Sequence, residues 1–280
     1  MKTPRVLAIH DMCAFGRCSL TAVLPVLSAM GIQVCPFPTA IYSNNLTYDN
    51  IDFYDFSPHM RHFMDIWQKN GYQYDAIYSG FLANAEQISI VEDAISRFAK
   101  KDTTIIVDPA MADNGNLYPV FKPAIIDAMR HLISKATVIT PNYTEACLLL
   151  NIPYTDEIPT TKKITTWCQK LSALGPSKIV ITSVPASNNE IKNISYDSMT
   201  ASFDEYTISR IPFNTCGTGD LFTSVLTGCL LKDLSLHDAV SKVISFMNYC
   251  INYTYQSGSD PREGVQIEPC LLHLQNIEKK

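Results

Sequence analysis

Asp220 closes the run Cys216-Gly217-Thr218-Gly219-Asp220, and an apolar stretch begins at once with Leu221 and Phe222. Glycines on both sides of Thr218 let the backbone turn its N–H groups inward. A helix start directly after them adds the positive end of its dipole. The combination is a cradle for an anion, with Asp220 in the first helical turn, where its charged form is favoured. An ionised carboxylate at that point serves as the base of a loose phosphoryl transfer, which needs to accept a proton only late. The same residues also make an ordinary strand-to-helix turn in which Asp220 is a helix-start residue.

Three further segments carry polar residues beyond apolar runs. Val107-Asp108-Pro109-Ala110-Met111-Ala112-Asp113-Asn114-Gly115 follows a strand-like stretch. Asp108 then lies at the strand's carboxyl end, the edge where open α/β sheets bind ligands. Asp108 and Asp113 can face a metal-bound phosphate, although Asp, Asn and Gly also form turns on their own. In Thr140-Pro141-Asn142-Tyr143-Thr144-Glu145, Asn142 and Glu145 have capping-box spacing. A carboxylate placed there can also reach Mg²⁺, which needs only one or two. His10-Asp11-Met12-Cys13-Ala14-Phe15-Gly16-Arg17-Cys18-Ser19 joins a carboxylate, an aromatic, a glycine and an arginine, which suits a polar ring-binding pocket. A loop with a helix cap at Ser19 is the alternative.

Other chemistries are excluded or weak. There is no Gly-x4-Gly-Lys-Ser/Thr, and Phe222 stands where a dinucleotide fingerprint needs its third glycine. The His-Arg-Asp and Asp-Phe-Gly signatures of protein kinases are absent. His59 and His62 share a helix face without the carboxylate a zinc hydrolase requires. The nine cysteines form no Cys-x-x-Cys pair, which suits a reducing compartment and argues against zinc. Cys216 beside the glycines is either a small packed residue or a nucleophile toward an aldehyde. Trp67 and Trp167 fall in helix-like runs and read as packing residues.

The elements that must position these residues alternate. Arg5–His10, Gln33–Pro38, Ala76–Ser79, Thr104–Asp108, Thr137–Thr140 and Lys178–Thr182 read as strands. Ser19–Met30, Pro58–Lys69, Asn84–Lys100, Tyr118–Ile133, Asn142–Leu150 and Thr160–Leu174 read as helices between them. Continuous Val/Ile strands separated by helices predict an α/β fold with a mostly parallel sheet covered on both faces. Glu190–Pro212 alternates and reads as a hairpin or pair of edge strands, followed by helices at Asp220–Leu231 and Leu236–Tyr253. No repeat or linker divides residues 1–280, so one domain is expected. The polar and aromatic stretch Tyr42–Pro58 is a candidate lid or a surface excursion. A net charge of −5 argues against nucleic acid or an anionic membrane as partner. Val6–Ile9 is too short for a signal-peptide core and no run spans a bilayer, so a cytoplasmic protein is expected.

The four segments, in this order, resemble the ribokinase-like superfamily. More narrowly they are similar to its vitamin B6 kinase branch and the related hydroxymethylpyrimidine kinases. Asp-Pro-x-Met-x-Asp-x-Gly, Thr-Pro-Asn-x-x-Glu-Ala and Gly-Thr-Gly-Asp carry the likeness. Tyr42-Ser43-Asn44 with Thr47-Tyr48, and Ser79-Gly80-Phe81-Leu82, extend it from about Arg5 to Tyr253. The resemblance implies a single ribokinase-like domain, usually homodimeric, that uses ATP and Mg²⁺, with a monovalent cation in some members. It implies Asp220 as the base acting on a substrate hydroxymethyl, with Gly217, Thr218 and Gly219 as its anion hole. Asp108, Asn142, Glu145, Thr182 and Ser183 match positions around ATP. Asp113, Glu145 and Thr140 match positions near cations. Asp11, Phe15, Thr47 and Phe81 match the substrate pocket, and the Glu190–Pro212 hairpin borders the adenine site. The implied substrate is the 5′-hydroxymethyl of a B6 vitamer, the alternative a hydroxymethylpyrimidine or its phosphate. A non-catalytic vitamer or nucleotide sensor is the reading from another class. Three departures stand out. Asp11 replaces the serine of pyridoxal kinases and resembles the aspartate of hydroxymethylpyrimidine kinases, but their following Gly-Gly is replaced by Ala14-Phe15-Gly16-Arg17, and Ala112 replaces a usual glycine. An anionic Asp11 favours a substrate with a cationic group, which points toward pyridoxamine.

Overall fold

The computed structural model describes residues 2–187, 189–275 and 277. In chain order the elements are β1 (Arg5–Cys13), α1 (Leu20–Ala29), β2 (Gln33–Tyr42), β3 (Phe53–Asp55), α2 (Ser57–Lys69), β4 (Ala76–Ser79), α3 (Ala85–Phe98), β5 (Thr104–Val107), β6 (Ala112–Asp113), β7 (Asn116–Leu117) and α4 (Ala124–Ile133). There follow β8 (Val138–Ile139), α5 (Tyr143–Leu149), α6 (Thr161–Ala173), β9 (Lys178–Pro185), β10 (Glu190–Asp197), β11 (Ser202–Ser209), α7 (Thr218–Leu231) and α8 (Leu236–Ser257).

Nine strands form one sheet in the order β11-β10-β9-β8-β5-β4-β1-β2-β3. Its centre, from β9 to β2, is parallel, and antiparallel strands close both margins. The apolar run of β1 explains the layering. Its side chains alternate between faces, and both faces are covered. Leu7 and Ile9 join the core under α2 to α6, with Met64, Val91, Met129, Ala146 and Trp167. Val6 and Ala8 join the core under α1, α7 and α8, with Val23, Leu226 and Val243. Each such fully buried Leu, Ile or Val contributes about 1.5–3 kcal/mol.

Several boundaries differ from the sequence expectation for identifiable reasons. β1 continues past His10 to Cys13, and β2 continues past Pro38 to Tyr42, the two pairing along that length. The stretch 118–123 is not helical: α4 begins only at Ala124, after Pro119 and Pro123, which lack a backbone donor. Within the candidate lid, β3 pairs antiparallel with β2 through Ile41↔Tyr54 and Tyr42↔Phe53. Ser43 N–H also donates to the Asp52 carbonyl at 2.8 Å. The segment is thus tied to the sheet margin through β3. The expected hairpin is β10–β11, in register from Glu190↔Ser209 to Asp197↔Ser202. Among the described residues no helix is long and apolar enough to cross a membrane.

The parallel centre brings the carboxyl ends of β1, β4, β5, β8 and β9 to one edge. The N-terminus of α7 meets that edge: a Cβ added to Gly219 would lie 3.4 Å from Asp108 Oδ2.

Candidate active site

Gly217 caps α7 with φ 76°, in the left-handed region. A Cβ at this position would sit 2.1 Å from the Arg17 carbonyl oxygen. Both the dihedral and the close approach require glycine here. The loop is therefore wedged against the segment leaving β1, and Asp220 in the first turn faces that segment. Ser19 N–H donates to Asp220 Oδ2 at 2.7 Å. His10 Nδ1 lies 3.7 Å from Oδ1. Tyr78 Oη donates to the Asp220 carbonyl at 3.4 Å. The Asp220 side chain keeps 15% exposure, so one carboxylate oxygen is fixed and the other stays reachable.

Ser19 itself has φ 51°, unusual for a residue with a side chain. In that conformation its N–H reaches Asp220 while its Oγ donates to Asp11 Oδ1 at 2.6 Å. Cys13 Sγ donates to Asp11 Oδ2 at 3.3 Å. Asp11 is buried, and burial raises its pKa, with the Asp220 charge adding to that and the Ser19 hydrogen bond opposing it. Both its oxygens are therefore engaged within the protein. That geometry does not favour a charged Asp11 meeting a cationic substrate group.

Asp108 is buried at the end of β5. Burial raises its pKa well above the ordinary value, and the charges of Glu145 and Asp220 raise it further. Thr223 Oγ1 lies 3.5 Å from Asp108 Oδ2 and 2.9 Å from Thr140 Oγ1. Asn142 and Glu145 form the capping box of α5. Glu145 accepts from Asn142 N–H at 2.8 Å and from Met111 N–H at 3.0 Å. Burial nevertheless pushes it up to about 8, against those donors. Asn142 Nδ2 donates to the Ala112 carbonyl at 2.7 Å, and Thr182 N–H donates to the Pro141 carbonyl at 3.0 Å. Ser183, next on β9, has φ 57°. Asp108, Asn142, Glu145, Thr140 and Thr182 thus gather beside the cradle. Asp113 ends β6, exposed, accepting from Asn114 N–H at 2.8 Å, and its charge adds to the upward shift of Glu145. Among the described residues no three acidic, His or Cys side chains cluster as a cation site.

Of the other pocket residues, Thr47 N–H donates to Asn45 Oδ1 at 3.0 Å, and Phe81 packs on Phe121 at 5.4 Å. Phe15 is 53% exposed and packs edge-on against Tyr48 at 5.9 Å. The Arg262 guanidinium covers the Tyr48 ring at 4.8 Å. With Asn44, Asp49 and Asn50 these three line a depression of about 290 Å³. The turn holding Arg262 is tied to the cradle. The Arg262 carbonyl accepts from Asn45 Nδ2 at 2.7 Å and from Cys216 Sγ at 3.4 Å. Cys18 donates toward Cys216, which holds the Cys216 thiol below its ordinary pKa. Sequence reasoning assigned nothing to His10, Ser19 N–H, Tyr78, Thr223 or the Arg262 turn. The one signal for His10 was a polar residue interrupting an apolar strand.

Comparison with known proteins gives the family of the chain. The family model described as phosphomethylpyrimidine kinase matches residues 20–264. A pyridoxal kinase of Vibrio vulnificus is 24% identical over 268 residues, covering 90% of this chain and 88% of its own. A hydroxymethylpyrimidine/phosphomethylpyrimidine kinase of Haemophilus influenzae is 28% identical over 193 residues, covering 68% and 70%. Among solved structures, a provisional phosphomethylpyrimidine kinase of Bacteroides thetaiotaomicron, crystallised with pyridoxal, is 40% identical. It superposes with a TM-score of 0.94 over 98% of this chain and 96% of its own. A pyridoxal kinase of Lactobacillus plantarum is 27% identical, with a TM-score of 0.89 over 98% and 97%. This chain belongs to the phosphomethylpyrimidine kinase family, in the ribokinase-like branch shared with the pyridoxal kinases, and is a phosphotransferase.

Proposed function

We propose that the protein transfers the γ-phosphoryl group of ATP to the hydroxymethyl group of a B6 vitamer. The observation that carries this reading is the Asp220 carboxylate at the mouth of the Gly217–Gly219 cradle. Its Oδ2 is held by Ser19 N–H and its Oδ1 is left free to take a proton. The substrate O–H bond breaks toward Oδ1, a P–O bond forms to the substrate oxygen, and the bond to ADP breaks. The cradle N–H groups and the α7 dipole stabilise the charge on the transferred group.

Mg²⁺ suits this edge. Asp108 and Glu145 are buried; burial raises the Asp108 pKa and the charges of Glu145 and Asp220 raise it further, an electrostatic burden that a divalent cation relieves. When bound, the ion neutralises charge on the ATP phosphates. In this reading Asn142, Thr182 and Ser183 serve the nucleotide, and Phe15, Thr47 and Phe81 serve the vitamer ring. Asp11 acts through Ser19. Support for a vitamer comes from the 40% identical relative crystallised with pyridoxal. The family description and the Haemophilus relative favour a second reading, the hydroxymethylpyrimidine or its phosphate. ATP consumption measured in parallel with pyridoxal, pyridoxine, pyridoxamine, hydroxymethylpyrimidine and its phosphate separates the two. A vitamer turned over at least about tenfold faster than either pyrimidine supports the first reading; the reverse order supports the second. Vitamer binding without turnover of any substrate would make the protein a sensor. A homodimer in the cytoplasm belongs to the same reading, and sedimentation equilibrium measures the assembly.

A further inference from the structure

His10 stands on β1 directly before Asp11, and its side chain is fully buried. Neither ring nitrogen has a hydrogen-bond partner among the described residues. Buried polar groups are nearly always paired, because leaving one desolvated and unpaired is unfavourable. The ring is nonetheless tightly constrained. Tyr78 packs edge-on at 4.4 Å with an interplanar angle of 82°. Gly80 lies so close that a Cβ there would sit 2.3 Å from Nδ1, so any larger residue would displace the imidazole. Nδ1 is also 3.7 Å from Asp220 Oδ1. That distance exceeds a hydrogen bond, but catalytic hydrogen bonds are often long in an empty site and tighten in the loaded one.

We infer that His10 is a positioning residue for Asp220: its Nδ1–H donates to Oδ1 in the loaded site. With Ser19 N–H already on Oδ2, this second donor fixes the plane of the carboxylate. One lone pair of Oδ1 then faces the substrate hydroxyl. The inference rests on the reading of Asp220 as the base. It explains why a polar residue is kept inside an apolar strand and why Gly80 leaves room for its ring.

The experiment compares wild type, H10L and H10N in steady-state kinetics with the best substrate of the panel. It adds ¹⁵N imidazole spectra of wild type and D220A, with the His10 signal identified by its loss in H10N. Leu removes the donor, while the Asn side-chain amide places one near the Nδ1 position. The expected result is kcat lowered about 10- to 100-fold in H10L, with KM for both substrates within about twofold. H10N should recover to within about fivefold of wild type. The Nδ1 signal should be that of a protonated nitrogen in wild type and should move in D220A. An H10L enzyme with unchanged kcat, or an H10N enzyme as slow as H10L, would overturn the inference. If H10L does not fold, the spectra decide: an Nδ1 signal indifferent to D220A overturns the pairing. A wild type inactive on the whole panel removes Asp220's role as base but leaves the His10–Asp220 pairing to be judged by the spectra.

Discussion

Ser19 donates its backbone N–H to the Asp220 carboxylate at 2.7 Å and its hydroxyl to Asp11 at 2.6 Å. One residue with a left-handed backbone therefore holds two acids from opposite ends of the chain. The two roles are separable, because a side-chain substitution leaves the N–H in place. S19A should destabilise the protein by about 1–3 kcal/mol, the range for a buried acid deprived of a donor. It should lower kcat by less than about tenfold, since Oδ2 of Asp220 keeps its partner. Urea unfolding and steady-state kinetics on the same preparation check both.

Gly217 combines φ 76° with an approach that would put a Cβ 2.1 Å from the Arg17 carbonyl oxygen. A left-handed non-glycine residue costs about 1–2 kcal/mol before any clash. G217A should therefore lose about 2 kcal/mol or more, and turnover should fall because the cradle must shift from Arg17. A thermal midpoint equal to that of wild type would contradict the close packing of these two loops.

Burial raises Glu145 from 4.5 to about 8. The native protein then holds a proton that the unfolded chain releases. The stability due to this group is full below about pH 4.5 and is lost as pH rises through about 8. Asp108 and Asp11 shift in the same direction, also chiefly through burial. The urea midpoint of the nucleotide-free protein should fall between about pH 5 and about pH 8, and E145Q should flatten the fall. A midpoint that rises over this window would contradict the shift.

Cys216 is half-buried, and its pKa is lowered by the hydrogen bond from Cys18. Cys18, Cys35, Cys147, Cys168, Cys229, Cys250 and Cys270 all shift upward. The thiolate is the reactive form. Limited treatment with iodoacetamide at neutral pH should label Cys216 ahead of those seven, as read by peptide mass spectrometry. Preferential labelling of Cys18 would reverse the assigned direction of the hydrogen bond.

The parallel sheet was legible because burial on both faces writes itself as continuous Val/Ile runs, as in Val6–Ile9 and Ile179–Ile181. The cradle was legible because its two glycines are adjacent in sequence to the acid they serve. What failed was nonlocal. β1 seemed to end at His10 because two polar residues read as an exit, yet Ser19 and Cys13 satisfy Asp11, and Tyr78 and Gly80 enclose His10. Ser19 meets Asp220 across 201 residues, and Cys216 meets Arg262 across 46. No local spacing encodes either pair. Asp11 differs: both its partners, Cys13 and Ser19, lie in its own segment, and the positive-φ backbone at Ser19 is what brings the hydroxyl back to it.

The account stands on Asp220 as the base, and the D220N enzyme tests that most directly. Asn keeps the size of the side chain and an oxygen for Ser19 N–H but has little basicity. With the best substrate of the panel, kcat should fall by about 100-fold or more, while ATP affinity measured by calorimetry stays within about threefold of wild type. A D220N enzyme that turns over at the wild-type rate would contradict the account.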